Sequence, residues 1–293
     1  MTKGVNFEWL KKQAANENTK KIFSLIKRNK LKINKLYALK LKKYKIFVSK
    51  EGALSSLYTY QEQFKNKDHM KVSSFSGKGA KVILDIGANE GFYTLRTKAI
   101  NSKCTIIAVE PVPVTFRYLK KNISENKLKN VHLINKAVSS KKDKITIEFV
   151  EGISSLSGSN LKKIIKPLFI KKTKTISKEV YEETKEMLKN IKSIKVNTLS
   201  GDNIFKKYNL KKVDLMKIDV EGNELDVLKS TKNNLNKIDK IVIEFHGKKE
   251  DGSDIKPKLK KFLKKYGFNV VLEENGQFGC GDIYFTKSRE YFL

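Results

Sequence analysis

The sequence predicts an α/β fold with a doubly wound, mostly parallel sheet. Three observations carry that expectation: short β-branched runs alternate with helical segments from Val82 onward, a glycine-bearing turn joins the first run to its helix, and two strand-like runs follow the last helix. In order, Val82–Ile86 reads as a buried strand and Gly91–Ile100 as a helix. Cys104–Val109 is the second strand, Val114–Asn126 the next helix and Val131–Val138 the third strand. Strand-like runs at Lys144–Val150 and Ser193–Leu199 flank a lysine-rich insertion at about 160–192, whose second half, Ser177–Asn190, is helix-like. The alternation resumes with strand Val213–Ile218, helix Glu224–Leu235, strand Lys240–Phe245 and helix Ile255–Tyr266. Strands near Phe268–Leu272 and Asp282–Thr286 then suggest a closing antiparallel hairpin.

Ahead of this domain, set at residues 79–293, lies a basic, largely helical extension at residues 1–78. Within it Ile22, Ile26, Ile33, Tyr37, Leu41 and Tyr44 recur at helical spacing between lysines, up to about Val48. Packing on the main domain is the first expectation for that stripe. A basic helix lying on an anionic membrane surface or on nucleic acid is the alternative. A polar stretch, Lys65–Gly79, separates the extension from the first strand.

The 293 residues carry 62 Lys and Arg against 31 Asp and Glu, a formal charge of +31, with 39% hydrophobic residues. That apolar share supports a real core and excludes wholesale disorder. Only Arg28, Arg96, Arg117 and Arg289 are arginine, so the excess is lysine and part of it is compositional bias. No apolar run nears the roughly 18 residues of a membrane span. The N-terminal Met1–Asn6 lacks an apolar signal region, so the expected address is the cytoplasm, with peripheral attachment to a membrane as an extension of it. Cys104 and Cys280 are too few for a disulfide framework or a zinc site and read as buried thiols.

The turn after the first strand reads Asp85-Ile86-Gly87-Ala88-Asn89-Glu90-Gly91-Phe92-Tyr93. Its glycines permit positive φ and a close backbone approach to a ligand over the strand ends. The G-x-G-x-x-G spacing that cradles a pyrophosphate is absent, and so is a P-loop. Asp85 and Glu90 would repel a pyrophosphate but suit a ligand with positive charge, such as the amino group and sulfonium of S-adenosylmethionine. Glu110, ending the second strand, can accept hydrogen bonds from both hydroxyls of a ribose, and Pro111 would stiffen the loop under the adenine. Asn135 and Ala137 at the third strand end are candidates for the adenine edge or ordinary packing residues.

Together with Leu215-Met216-Lys217-Ile218-Asp219-Val220-Glu221-Gly222-Asn223-Glu224 and Ile243-Glu244-Phe245-His246, these motifs make the chain resemble the FkbM family of S-adenosylmethionine-dependent methyltransferases, in order from about Val82 to Thr286. The resemblance implies the class I methyltransferase fold, a Rossmann-like seven-stranded sheet with an antiparallel last strand. It also implies O-methylation of hydroxyls on sugars, glycans or other natural products. Two departures stand out: Asn197-Thr198-Leu199-Ser200 has serine where the family commonly has aspartate, and the insertion and N-terminal extension lie outside the pattern.

Asp219 and Glu221 leave the fourth strand and Glu244 and His246 the fifth, each pair on one side of an extended chain, so all four can face one cleft. His246 is the leading general base because its kind titrates near neutral pH, with Glu244 orienting its ring. Asp219 or Glu221 would hold acceptor hydroxyls or serve as the base instead. Glu224 reads as a helix-terminus acid. Mg²⁺ suits the Asp219–Glu221 pair, although the sequence does not require a metal. His69 and His132 lack a carboxylate constellation and read as surface residues, and Gly152–Asn160 reads as a hydroxyl-rich loop that either covers the acceptor or serves as a linker. An RNA 2′-hydroxyl acceptor, or a non-catalytic docking role on membrane or nucleic acid, are the alternatives to a small-molecule or glycan acceptor.

Overall fold

A computed structural model describes residues 5–32, 35–66, 69–150, 153–158, 189–246, 254–275 and 280–288. Its central sheet follows from near-continuous burial along apolar strands whose side chains alternate between two covered faces. The strands are β3 (Val82–Ile86), β4 (Thr105–Val109), β5 (Val131–Ile134), β10 (Leu215–Ile218), β11 (Lys240–Phe245), β12 (Asn269–Asn275) and β13 (Gly281–Thr286). Leu84, Ile86, Ile107, Val109, Met216, Ile218, Ile241, Ile243, Ile283 and Phe285 fill one face. Ile83, Ile106, Ala108, Leu215, Val242 and Tyr284 fill the other. Alternation in β-branched strands with both faces apolar requires cover on both sides.

That cover is helical. On the first face lie α6 (Gly201–Lys207), α7 (Glu224–Ser230) and α8 (Lys256–Lys264), which contribute Ile204, Phe205, Val227, Leu228, Leu259 and Leu263. On the second lie α4 (Phe92–Ile100) and α5 (Pro113–Glu125), with Tyr93, Leu119 and Ile123. Each buried side chain of this size contributes about 1.5–3 kcal/mol of hydrophobic stabilisation. The strand order is β12-β13-β11-β10-β3-β4-β5. β13 runs antiparallel to both neighbours, β11 and β12, while the pairs from β11 to β5 are parallel. This is the expected class I arrangement, and its reversal of strand order beside β3 and β10 opens a crevice at the strand ends.

The N-terminal residues build a core of their own against α4. Helices α1 (Phe7–Gln13), α2 (Glu17–Lys27) and α3 (Ala53–Gln61), and a hairpin of β1 (Tyr37–Lys40) and β2 (Lys45–Val48), form an apolar cluster that includes Phe92 and Leu95 of α4. Asn6 and Asn16 cap α1 and α2 by accepting the backbone N–H of Trp9 and Thr19. Asn122 of α5 and Asn126, which caps its C-terminus, dock the hairpin through the backbone of Phe47 and Lys45.

The helix expected up to Val48 stops at Lys27, where Asn29 turns left-handed with φ of 53°. Tyr37, Leu39 and Leu41 are buried and alternate with Ala38 and Lys40, so strand periodicity wins over the i, i+4 spacing. Ile22, Phe23 and Ile26 of α2 point into the protein, as expected of a stripe that packs, which leaves that face no apolar stripe to insert into a membrane. Among the described residues no helix is long and apolar enough to cross a membrane.

A second sheet, ordered β6-β9-β7-β8, is built from β6 (Ala137–Val138), β7 (Lys144–Val150), β8 (Ile153–Gly158) and β9 (Ile191–Leu199). The hydroxyl-rich run expected as a loop is therefore a strand from Ile153 to Gly158, paired with β7. The helix expected over Ser177–Asn190 lies outside the described residues except at its last two. Ser200, the residue replacing the family's aspartate, caps α6 by accepting the Asn203 N–H at 3.1 Å, a task either side chain performs.

Candidate active site

At the carboxyl end of β3 the chain passes so close to β10 that a Cβ on Gly87 would stand 1.7 Å from the Asp219 carbonyl oxygen. With φ of 79°, only glycine fits without displacing the neighbouring strand. The N–H groups of Gly87 and Ala88 both donate to the Val109 carbonyl at 2.9 Å, which curls the turn over the end of β4. Asn89 is left-handed with φ of 50° and donates its N–H to Glu110 Oε2 at 3.0 Å. Val112 N–H donates to Oε1 of the same carboxylate at 2.8 Å. Glu110 is thus fixed by the backbone at 4% exposure, with lone pairs left on each oxygen. Burial pushes its carboxyl up to about 7, against the pull of the two N–H groups and Lys217.

Asp85 lies beneath this turn and does not line the cavity. It is fully buried, accepts the Thr94 hydroxyl at 2.7 Å and stands 3.6 Å from the Lys217 ammonium. Lys217, itself 3% exposed, donates to the Gly87 carbonyl at 2.7 Å and meets Asp219 at 3.0 Å. Burial opposes its charge, but Asp219 and Asp85 outweigh that and hold it above the usual lysine range. One buried ammonium therefore ties the glycine turn to the β10 exit. Ala88, Gly91, Phe92 and Tyr93 serve the packing around the turn: Gly91 opens α4, and the other three are core residues. Asn135 braces the Glu110 loop by donating to the carbonyls of Glu110 and Pro111, whereas Pro111 and Ala137 line the cavity.

The strand ends of β10, β11 and β13 and the segment before β3 bring together two imidazoles and several carboxylates. His246 Nε2 is 3.3 Å from Glu221, 3.6 Å from Glu244 and 3.9 Å from Asp219. Its Nδ1 lies 3.0 Å from Glu224, so Glu224, and not the expected Glu244, orients the ring. Glu224 also accepts the Gly222 N–H at 2.8 Å, combining that work with the terminal role expected of it. His69 is 4% exposed and belongs to the same cluster, which corrects the surface position expected for it. Its Nδ1 is 3.0 Å from Asp282, and its Nε2 is 3.3 Å from Glu244 and 3.9 Å from Asp219. His132 is exposed on β5, as expected.

Electrostatics here are mutual. Burial works against charge on His246, yet Glu221, Glu224 and Glu244 hold it well above the usual histidine range. His69 is treated likewise: burial depresses it, and Asp282 and Glu244 carry it to about 9. Asp219 is lowered because Lys217, His246 and His69 overcome its burial. Burial drives Glu221 up to about 8, with His246 pulling down and Asp219 and Glu244 pushing further.

Both groups open into one cavity of about 770 Å³. Gly87, Asn89, Glu110, Pro111 and Ala137 line one end, and His69, Asp219, Glu221, Glu244, His246 and Asp282 the other. Tyr58, Thr59, Glu62 and Gln63, from α3 and the π-helical turn Glu62–Asn66 after it, and Ser157 and Gly158 of β8 complete the wall. Cys104 is buried, whereas Cys280 is only half-buried and borders the cavity. Sequence reasoning missed His69, Asp282 and Lys217. Asp282 and Lys217 carry a signal, since a charged residue within an apolar strand run needs a partner. His69 sits in a polar stretch and carries none.

The Methyltransferase FkbM domain model matches residues 85–270, well over half of the chain. The chain belongs to the FkbM methyltransferase family. Relatives of this FkbM-domain protein include "Methyltransferase 1" of Beauveria bassiana (strain ARSEF 2860), 29% identical over 195 residues that cover 65% of this chain and 73% of that one. The "Hexuronic acid methyltransferase AglP" of Haloferax volcanii is 27% identical over 56% of this chain and 56% of its own length. The "31-O-demethyl-FK506 methyltransferase FkbM" of Streptomyces tacrolimicus is 22% identical over 83% and 93%. The cofactor of the family, S-adenosylmethionine, fits the first end of the cavity: the glycine turn admits close approach, and the backbone-fixed Glu110 offers acceptors to a ribose.

Proposed function

We propose that this FkbM-type methyltransferase transfers a methyl group from S-adenosylmethionine to a hydroxyl oxygen on a sugar, glycan or other small natural product. The observation that carries the proposal is the shared cavity: a carboxylate fixed by the backbone, Glu110, lines it together with a set of hydrogen-bond acceptors from the ends of β10 and β11. The chain leaves β10 as Asp219-Val220-Glu221-Gly222, a carboxylate exit suited to holding hydroxyls and unlike the N-P-P-Y loop of amino-methylating enzymes. The names of the Haloferax and Streptomyces relatives, one a hexuronic acid and one an O-demethyl natural product methyltransferase, support the same substrate class.

S-adenosylmethionine supplies a methyl group made electrophilic by its sulfonium. Glu110 takes the ribose hydroxyls, and the Gly87 turn lets the cofactor lie against the strand ends. Asp219 and Glu221 orient the acceptor hydroxyl in line with the methyl carbon. Glu244 accepts the hydroxyl proton as the O–CH₃ bond forms and the S–CH₃ bond breaks. We assign Glu244 this role over His246 because its side chain is 31% exposed, whereas the His246 ring is 8% exposed and anchored through Nδ1 by Glu224. Labelled methyl transfer into lysate fractions treated with glycosidase, nuclease or protease tests the acceptor class. Label lost only to glycosidase, or carried by a small molecule, supports the proposal, and label lost to nuclease or protease contradicts it.

A further inference from the structure

A carboxylate is a weak base toward an alcohol, whose proton is far less acidic, so the reaction end needs something that acidifies the acceptor. The side chains there are arranged as a cation would require. Asp219 divides its oxygens between the two rings, Oδ1 at 3.9 Å from His246 Nε2 and Oδ2 at 3.9 Å from His69 Nε2. Glu244 does the same with Oε1 and Oε2, at 3.6 and 3.3 Å. The far nitrogen of each ring is fixed by another carboxylate, Glu224 or Asp282, so that Nε2 faces the carboxylate-lined space. A carboxylate behind a histidine is the outer-sphere arrangement that sets the tautomer and basicity of metal-binding imidazoles.

Two triads result, His69 with Asp219 and Glu244, and Asp219 with Glu221 and His246, each with ligand atoms within 4.8 Å of one another. Adjacent donors around one ion at about 2.1 Å lie about 3.0–3.4 Å apart, so the His246–Glu221 pair at 3.3 Å already fits and the widest pairs must draw in by up to about 1.5 Å. Lys217 separates them. Its ammonium stands 3.0 Å from Asp219 Oδ2, the oxygen on the His69 side, and opposes a second cation there. On the other side Glu221 is held toward His246 by a left-handed backbone with φ of 52°, against which Gly158 packs so tightly that a Cβ would fall 2.6 Å from the Glu221 carbonyl.

We propose that Asp219, Glu221 and His246 bind one divalent transition-metal ion. The mixed imidazole and carboxylate donors favour Mn²⁺ or Zn²⁺ over Mg²⁺, with Zn²⁺ the tighter of the two. The role of the ion, coordinating the acceptor hydroxyl and lowering its pKa so that Glu244 can take the proton, rests on the O-methylation proposed above; the binding itself does not. The test uses the chelator-stripped full chain titrated with MnCl₂, with free Mn²⁺ followed by electron paramagnetic resonance, and S-adenosylhomocysteine binding measured in parallel by calorimetry. One Mn²⁺ per chain is expected, with Mg²⁺ at least about tenfold weaker. Glu221→Gln and His246→Ala should each weaken Mn²⁺ by about 100-fold or more, and Glu224→Gln by about 10–100-fold, while all three retain S-adenosylhomocysteine binding as proof of folding. His69→Ala and Glu110→Gln should keep the Mn²⁺ affinity. A wild-type chain that binds S-adenosylhomocysteine but not millimolar Mn²⁺ or Zn²⁺ overturns the proposal. So does Mn²⁺ binding indifferent to Glu221→Gln and His246→Ala, or binding lost only in His69→Ala. Failure of S-adenosylhomocysteine binding with Mn²⁺ still bound counts against the methyltransferase proposal and leaves the metal site standing.

Discussion

At the cofactor end of the cavity the backbone does the positioning: Gly87, Ala88, Asn89 and Val112 use main-chain N–H groups to shape one turn and fix one carboxylate. At the reaction end, side chains from separated segments meet, His69 before the sheet, Asp219, Glu221 and Glu224 after β10, Glu244 on β11, His246 just after it and Asp282 on β13. The first end is local in sequence and rigid by geometry. The second is non-local and held by mutual charge, so each member sets the state of the others. Lys217 joins them, with the Gly87 carbonyl on one side and Asp219 on the other. Substitutions at the first end should therefore change binding, those at the second turnover, and those at Lys217 both.

The largest effect is expected from Glu244→Gln, which should lower kcat by about 10²–10⁴-fold while the affinity for S-adenosylhomocysteine holds, as steady-state kinetics and calorimetry would show. A fall in affinity instead would dissolve the division between the ends. Lys217→Met leaves Asp85 buried without its cation and should destabilise the fold by about 3–5 kcal/mol in urea unfolding, weakening cofactor binding as well. Adding Asp85→Asn should recover part of that loss, because the uncompensated charge is then gone. Glu110→Gln should cost about 10–100-fold in S-adenosylhomocysteine affinity, the worth of hydrogen bonds to a charged acceptor, with kcat at saturation nearly kept.

The smallest effect is a pH dependence at the cofactor end. Burial raises Glu110 from 4.5 to about 7, so the proton competes with the ribose hydroxyls. Cofactor affinity should rise about tenfold between roughly pH 6 and pH 8 and level off above, and Glu110→Gln should flatten the profile. The sign for folding is opposite: this group's contribution to stability in the absence of cofactor is fully present below 4.5 and is lost as pH rises through about 7.

The same contrast governs what could be read in the sequence. The Gly87 turn, Glu110, the Asp219–Glu221 and Glu244–His246 pairs and most strand runs are signals within a few residues and take their expected places, whereas the run expected as one strand over Val131–Val138 breaks into β5 of the central sheet and β6 of the second sheet. His69 could not be read because its partners Asp282 and Glu244 lie on strands far along the chain. Glu224 was legible as a helix-terminus acid but not as the partner of His246, since that contact depends on how α7 sits against β11. The β1–β2 hairpin was hidden because Tyr37, Leu41 and Tyr44 fit a helical spacing, and only burial of Leu39 and Ile46 on one side reveals the strand period.

The central claim is that one cavity holds a cofactor end and a separate reaction end. Calorimetric titration of the full chain with S-adenosylhomocysteine tests it most directly, comparing wild type, Glu110→Gln and Glu244→Gln. The account predicts one site per chain, about 10–100-fold weaker in Glu110→Gln and unchanged in Glu244→Gln. Equal affinity in wild type and Glu110→Gln, or loss of binding in Glu244→Gln, would contradict it.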